Sequence, residues 1–183
     1  LAAWERLEQY DAVLATSADL RRKEDHSLHS ADAFLAAKPA YVGTSWGKDS
    51  VAAAHICWRV IGQSMVLVWF SQGSNVNPDC LAVRDAFLAR YPCDYREVDV
   101  SGYRADGAAG FHEVFSRAAH DAGLPRRYVS GVRADESSTR RERFRHWGES
   151  TPNTCAPIIR WGGEHVFAYA HKHSLPVHPA YAC

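Results

Sequence analysis

From Pro39 onward the chain alternates short apolar runs with amphipathic stretches of helical length, and this alternation constrains its fold more than any other feature. Repeated β-α units of this kind build a mostly parallel sheet covered by helices on both faces. Strands are expected near 40–44, 64–70, 94–99, 127–132 and 155–159. The intervening helices fall near 48–62, 78–91, 108–122 and 136–146, with a last one over about 163–173. Residues 1–37 read differently. Trp4, Leu7, Tyr10 and Leu14 recur at helical spacing in an Ala-, Leu-, Glu- and Arg-rich stretch, so two helices are expected, with Ser17 and Ser30 as N-caps. The expected organisation is an N-terminal helical extension over 1–38 and a nucleotide-binding domain over 39–183.

Right-handed crossovers restrict the winding of such a chain, and one common solution is a five-stranded three-layer α/β sheet in the order 3-2-1-4-5. In that order the winding reverses between the first and fourth strands. The loops leaving those two strands, beginning at Ser45 and Arg133, then flank one crevice at the carboxyl edge of the sheet.

The first loop lies in Tyr41-Val42-Gly43-Thr44-Ser45-Trp46-Gly47-Lys48-Asp49-Ser50-Val51, which runs from a strand through small residues into an Ala-rich helix. Unpaired amides at a helix start and the positive end of its macrodipole make an anion site. Gly47 permits close backbone approach, Ser45 and Ser50 offer hydroxyls, and Lys48 adds a point charge. Asp49 suits bracing the loop, or reaching a phosphate-bound cation such as Mg²⁺, better than touching phosphate. A Walker A loop is excluded, because three residues rather than four separate Gly43 from Gly47 and Asp49 follows the lysine. A strand-to-helix turn that binds nothing is the bland alternative.

The S-x-G-x-D-S pattern over Ser45–Ser50 resembles the phosphate loop of the PP-loop ATP pyrophosphatases, and specifically that of the phosphoadenosine phosphosulfate (PAPS) reductase family. The family's usual loop has two glycines after the first serine, and Trp46 stands in place of the first. Ser130-Gly131-Val132-Arg133-Ala134-Asp135-Glu136-Ser137-Ser138-Thr139-Arg140 is similar to the family's G-[IV]-R-x-[DE]-E-S-x-x-R signature. A third similarity covers Cys155–Trp161, Val166–Tyr169 and Leu175-Pro176-Val177-His178-Pro179-Ala180-Tyr181, so the resemblance spans roughly 39 to 181.

The resemblance implies an adenine nucleotide alpha hydrolase-like fold. It also implies an adenine nucleotide, ATP or PAPS, held by Ser45, Trp46, Gly47, Lys48, Asp49, Ser50, Gly131 and Arg133. Lys48, Arg133 and Arg140 are the expected charge-stabilising catalytic groups, with Arg140 and Arg141 also available to a second anionic group. Guanidinium forks suit such anions because they donate two parallel hydrogen bonds. Arg143 and Arg145 read more simply as a solvated helix face paired with acidic neighbours.

The chain also departs from the family. Ser71-Gln72-Gly73 replaces the frequent Asp-Thr-Gly after the second strand, and the Glu-Cys-Gly of a reductase is absent. Five widely spaced cysteines without a C-x-x-C pair argue against a disulfide framework or a zinc knuckle and fit a reducing, cytoplasmic setting, and the Cys-Cys pair that the resemblance would imply for an iron–sulfur member is absent. His171, His173, His178 and Cys183 lie close in sequence, but such histidines more often decorate a helix end than hold a metal. The formal net charge of +0 supplies no global field toward nucleic acid or membrane, so any anion site must be local. No apolar run approaches the ~20 residues of a membrane span.

Four functions are therefore in play. Adenylyl transfer from ATP leads. PAPS reduction with a thioredoxin-like reductant, or sulfur modification of nucleic acid, would require cysteine chemistry or a sulfur-transfer partner that these residues do not supply. A non-catalytic nucleotide-binding module is the reading from another class. The sequence leaves oligomeric state open, and either end, Leu1 or Cys183, is expected to be a cut edge.

Overall fold

The computed structural model describes residues 2–73, 76–104 and 110–182. Its sheet is five-stranded, in the order β3-β2-β1-β4-β5, from β1 (Tyr41–Thr44), β2 (Val66–Ser71), β3 (Asp94–Asp99), β4 (Tyr128–Val129) and β5 (Thr154–Cys155). Every neighbouring pair is parallel, with Val42 opposite Leu67 on one side and Val129 on the other. The expected winding, and with it the switch between β1 and β4, is therefore present.

Seven α-helices accompany the strands among the described residues: α1 (Ala2–Ala15), α2 (Ala18–Ala37), α3 (Lys48–Ile61), α4 (Pro78–Arg90), α5 (Phe111–Asp121), α6 (Ser138–Trp147) and α7 (Gly163–His173). The larger core joins α2, α3, α4 and α7 to one sheet face through Leu20, Phe34, Ile56, Leu67, Phe87 and Tyr169. On the other face Tyr41 and Val68 pack with Ala119 and Leu124 at the end of α5. The outermost strand β3 exposes the charged Asp94, Arg96, Glu97 and Asp99 around half-buried Tyr95 and Val98, which blunts an edge that would otherwise template further pairing. No helix among the described residues is long and apolar enough to cross a membrane.

Three expectations need correction. Ser17 caps α2 by accepting from the Leu20 amide at 3.1 Å, but Ser30 lies inside that helix, its hydroxyl 3.6 Å from the Cys155 sulfur. β5 ends at Cys155 instead of running to 159, because Pro157 has no amide to donate and the chain turns, Ile159 N donating to Ala156 O and Trp161 N to Ile158 O. β4 also stops short of 132. Its ladder reaches Ser130, whose amide donates to Cys155 O, and then bends toward α3. The first residues of the helix expected from 108 lie outside the described residues.

α2 is bound to the domain by polar as well as apolar contacts. Glu24, with 5% of its side chain exposed, receives Arg59 of α3 and Lys172 and His173 of α7. Burial disfavours its charge, yet these three partners hold its carboxyl down at about 2. Ser27 donates to Pro157 O at 2.6 Å and accepts from Trp161 Nε1 at 3.0 Å.

Candidate nucleotide site at the strand switch

β1 delivers the chain to the 45–50 turn, and the turn is wired internally. The Ser50 hydroxyl accepts from the Ser45 amide at 3.1 Å and donates to Gly47 O at 2.9 Å, while the Trp46 amide donates to Thr44 Oγ1 at 3.1 Å. Ser50 thus closes the turn and commits its proton there; the Ser45 side lies exposed at the rim. Gly47 is the N-cap of α3 and supplies no side-chain cap. Among the described residues no acceptor reaches the amides of Gly47, Lys48, Asp49 or Ser50, which are the four unsatisfied donors that a helix start presents.

Trp46 takes φ +61°, a left-handed conformation that glycine adopts readily and a bulky residue adopts only under constraint. The constraint is visible. Its side chain is fully buried against Trp69, Phe87 and Tyr95, with ring centroids 5.8–6.4 Å apart. The indole therefore points into the core, and what Trp46 can offer a ligand is backbone.

The second wall comes from β4. A Cβ built on Gly131 would stand 2.6 Å from Asp49 O and 2.7 Å from Ser50 Cα, so only glycine lets this strand end lie against the start of α3. Two residues on, Arg133 crosses the junction with its side chain 7% exposed. Its Nε donates to Asp49 at 2.6 Å and its Nη1 to Asp135 at 2.5 Å, and Gly163 at the start of α7 lies alongside. Burial opposes the guanidinium charge, but Asp49 and Asp135 hold its pKa above the ordinary value. Asp49 also accepts from Lys48 Nζ at 2.8 Å and so stands between the two cations as a brace.

Behind Arg133 the turn over Ala134–Glu136 leads into α6, whose N-cap Ser137 accepts from the Arg140 amide at 3.2 Å. Glu136 accepts from the Arg133 amide at 2.9 Å and pairs with Arg140. Burial acts against it, yet these two partners keep the Glu136 carboxyl below its usual range. Lys48, Asp49, Arg133, Glu136 and Arg140 thus form one connected chain of charges around the switch.

Tyr181 also belongs to this site, although no motif had assigned it a role. The C-terminal turn Pro179–Ala182 places its ring 4.9 Å from Lys48 Nζ and its hydroxyl 3.4 Å from the Cβ position of Gly47, with Phe167 of α7 also flanking Lys48 at 5.7 Å. Its signal in the sequence is its place as the last residue of the Leu175–Tyr181 similarity. Cys183 lies outside the described residues. Burial raises the thiol pKa of Cys57, Cys80, Cys93 and Cys155, so none of these four is a ready thiolate. Among the described residues no group of three or more His, Cys, Asp or Glu could hold a metal ion.

The arrangement can bind an anion of several charges: free amides and Lys48 on one wall, the rest of the Arg133 fork on the other, and no side chain at Gly47 or Gly131 to fill the approach. A polyphosphate fits these donors.

The chain is similar to known proteins in sequence and in fold. The family model of the phosphoadenosine phosphosulfate reductase domain matches residues 39–182. No curated protein sequence matches the chain. Among solved structures, the chain is similar to the U34-tRNA thiolase NcsA from Methanococcus maripaludis with its [4Fe-4S] cluster, with TM-score 0.63, 14% identity, and coverage of 89% of this chain and 69% of that one. Phosphoadenylyl-sulfate reductase from Candida auris in a phosphate complex gives TM-score 0.63 at 11% identity, over 91% of both chains. The NH3-dependent NAD synthetase from Campylobacter jejuni gives 0.60 at 12%, over 88% and 76%. At such identities the structural likenesses speak for the fold, whereas the family match extends over most of the sequence and takes in both walls of the crevice. The chain belongs to the phosphoadenosine phosphosulfate reductase domain family.

Proposed function

We propose that the chain binds ATP through the 45–50 turn and transfers its adenylyl group to an acceptor, releasing pyrophosphate. The observation that carries the reading is the set of four free amides at the start of α3, facing an arginine that Gly131 brings to the same edge. In this reaction an acceptor nucleophile bonds to the α-phosphorus, and the bond from that phosphorus to the β-phosphate bridging oxygen breaks. The charge gathers on the leaving pyrophosphate. Amides fixed before the substrate arrives stabilise that charge without reorganising, and Lys48, Arg133 and Arg140 add cations.

A helix start alone supplies only ~0.3–2 kcal/mol to an anion, against ~8 kcal/mol for micromolar affinity. Arg133 and Lys48 are therefore required contributors. Because two donors of the Arg133 fork are engaged by Asp49 and Asp135, the arginine is held in place in advance, at the cost of fewer free N–H groups. Mg²⁺, when bound with the polyphosphate, would neutralise part of its charge, and Asp49, the carboxylate of the 45–50 turn, would be its protein ligand. PAPS reduction needs an attacking thiolate, which Cys57, Cys80, Cys93 and Cys155 do not provide.

Calorimetric titration with ATP, AMP and PAPS, beside assays for pyrophosphate and sulfite, tests this reading. ATP is expected to bind, and Gly47→Val to abolish binding while the fold survives, since its methyl groups would enter the phosphate path beside Tyr181. Sulfite release from PAPS, or unchanged ATP affinity in Gly47→Val, would overturn it.

A further inference from the structure

α6 is an anomaly in an otherwise well-packed protein. Of its ten residues only Phe144 is even half-buried, lying under the Arg160 guanidinium at 5.1 Å. The most extensive packing of the helix is against its own N-terminal turn over Ala134–Glu136. Within 138–147 there are four arginines and one acid, in a chain whose formal net charge is +0. A helix polar all round forms when its ends and charge pairs support it. Here Ser137 caps the start, Gly148 at φ +71° ends the helix, and Arg145 pairs with Glu142 at 3.5 Å.

The distribution of these side chains is not uniform. Arg140, Arg143 and Trp147 recur at i, i+3 and i+7 and so share one stripe. Glu142 projects from the other side. Among the described residues no partner reaches the Arg143 guanidinium, and Trp147 is 61% exposed, its ring braced edge-on by His146 at 4.6 Å. The upper end of the stripe is tied to the nucleotide site, because Arg140 pairs with the Glu136 that holds the Arg133 amide. A row of cations ending on a bare aromatic ring matches a phosphodiester backbone that carries an unstacked base.

We propose that the Arg140–Arg143–Trp147 stripe docks the single-stranded loop of a folded RNA, which is thereby the acceptor brought to the activating site. A ring flanked by cations offers a stacking platform to a base free of its neighbours. Folded RNA presents such bases in loops, whereas duplex DNA keeps them stacked. An acidic protein segment would satisfy the arginines but would not stack on Trp147 as a base does. The acceptor role rests on the nucleotide reading, but docking itself needs no nucleotide and is measured without it.

The test uses fluorescence anisotropy with a fluorescein-labelled RNA hairpin bearing a seven-nucleotide uridine loop, against a duplex DNA of equal length and an oligoglutamate competitor. Two to three phosphate contacts predict that raising KCl from 50 to 200 mM weakens hairpin binding about 7- to 20-fold. Trp147→Ala should weaken it about 5- to 160-fold, as expected for one lost stacked base. Arg143→Glu should lower the salt dependence as well as the affinity. Both substitutions sit on an exposed helix, and melting curves and ATP titrations of the variants should match the parent. Absence of hairpin binding at 50 mM KCl would overturn the proposal even where ATP binds normally. So would equal binding of duplex DNA, equal competition by oligoglutamate, or an unchanged affinity in Trp147→Ala.

Discussion

Gly131→Ala is the substitution that isolates the geometry of the switch. The added Cβ would lie 2.6 Å from Asp49 O, 2.7 Å from Asp49 C and 2.7 Å from Ser50 Cα. All three are backbone atoms of the α3 start, so no side chain can swing aside, and either the strand end or the helix must retreat by the better part of an ångström. Gly131 is not among the glycines with positive φ, so the penalty is steric and does not come from backbone conformation. Overpacking of this kind costs ~1–3 kcal/mol, and the number of backbone clashes argues for the upper half of that range. For a chain of this length each kcal/mol lowers the melting temperature by about 2–4 °C. A fall of roughly 4–12 °C is expected by scanning fluorimetry. ATP affinity should fall by at least tenfold, because the same shift parts Arg133 from the free amides. Gly102→Ala, where an added Cβ meets nothing within 4 Å, serves as the control. A melting temperature within 1 °C of the parent together with unchanged ATP affinity would refute the close approach and its role in the site.

Other expectations can be checked on the same material. Burial among His173, Arg59 and neighbouring groups holds His55 down at about 3, so it stays neutral in the fold while the unfolded chain takes up a proton below about 6.5. The unfolded state then binds more protons, so stability falls as the pH drops; between pH 7 and pH 5 urea denaturation should register a loss of about 2 kcal/mol, largely absent in His55→Gln. Removing Arg133 leaves two carboxylates facing one another. A double-mutant cycle with Arg133→Met and Asp49→Asn should therefore give a coupling of at least ~2 kcal/mol, and additive effects would show that the ion pair contributes nothing. Trp46→Gly relieves the left-handed strain of ~1–2 kcal/mol but forfeits a fully buried indole of ~3–5 kcal/mol, so calorimetric stability should still fall. Tyr181→Ala should change ATP affinity while leaving the melting temperature within about 2 °C; an unmoved affinity would make the ring a bystander of Lys48.

Much of this architecture was legible in the sequence because it is written in local patterns. Apolar runs bounded by turns marked β1 and β2, and the small residues between β1 and an Ala-rich helix marked the turn at Ser45. The order of the strands followed from handedness. The features that escaped reading depend on the sign of a single dihedral or on distant contacts. Ser30 has the composition of a helix start, yet α2 runs straight through it because Ala31 and Phe34 continue its buried face. Ile158 and Ile159 look like strand residues, but Pro157 turns the chain and both are buried from a turn instead. Trp46 occupies a loop position in sequence, and only its burial against Trp69, Phe87 and Tyr95 shows that the ring turns inward. Tyr181 is far from Lys48 along the chain, so no spacing rule could pair them.

The hydrogen bond from Trp161 to Ser27 has a practical consequence for anyone trimming this protein. The family match starts at residue 39, which invites a minimal version from that point. Such a version would uncover Trp161, strand the Pro157 carbonyl, and leave Arg59, Lys172 and His173 crowded together without their shared carboxylate. A shortened protein intended to keep the crevice should begin before Ser17, so that α2 remains as the wall against which the return from β5 is built.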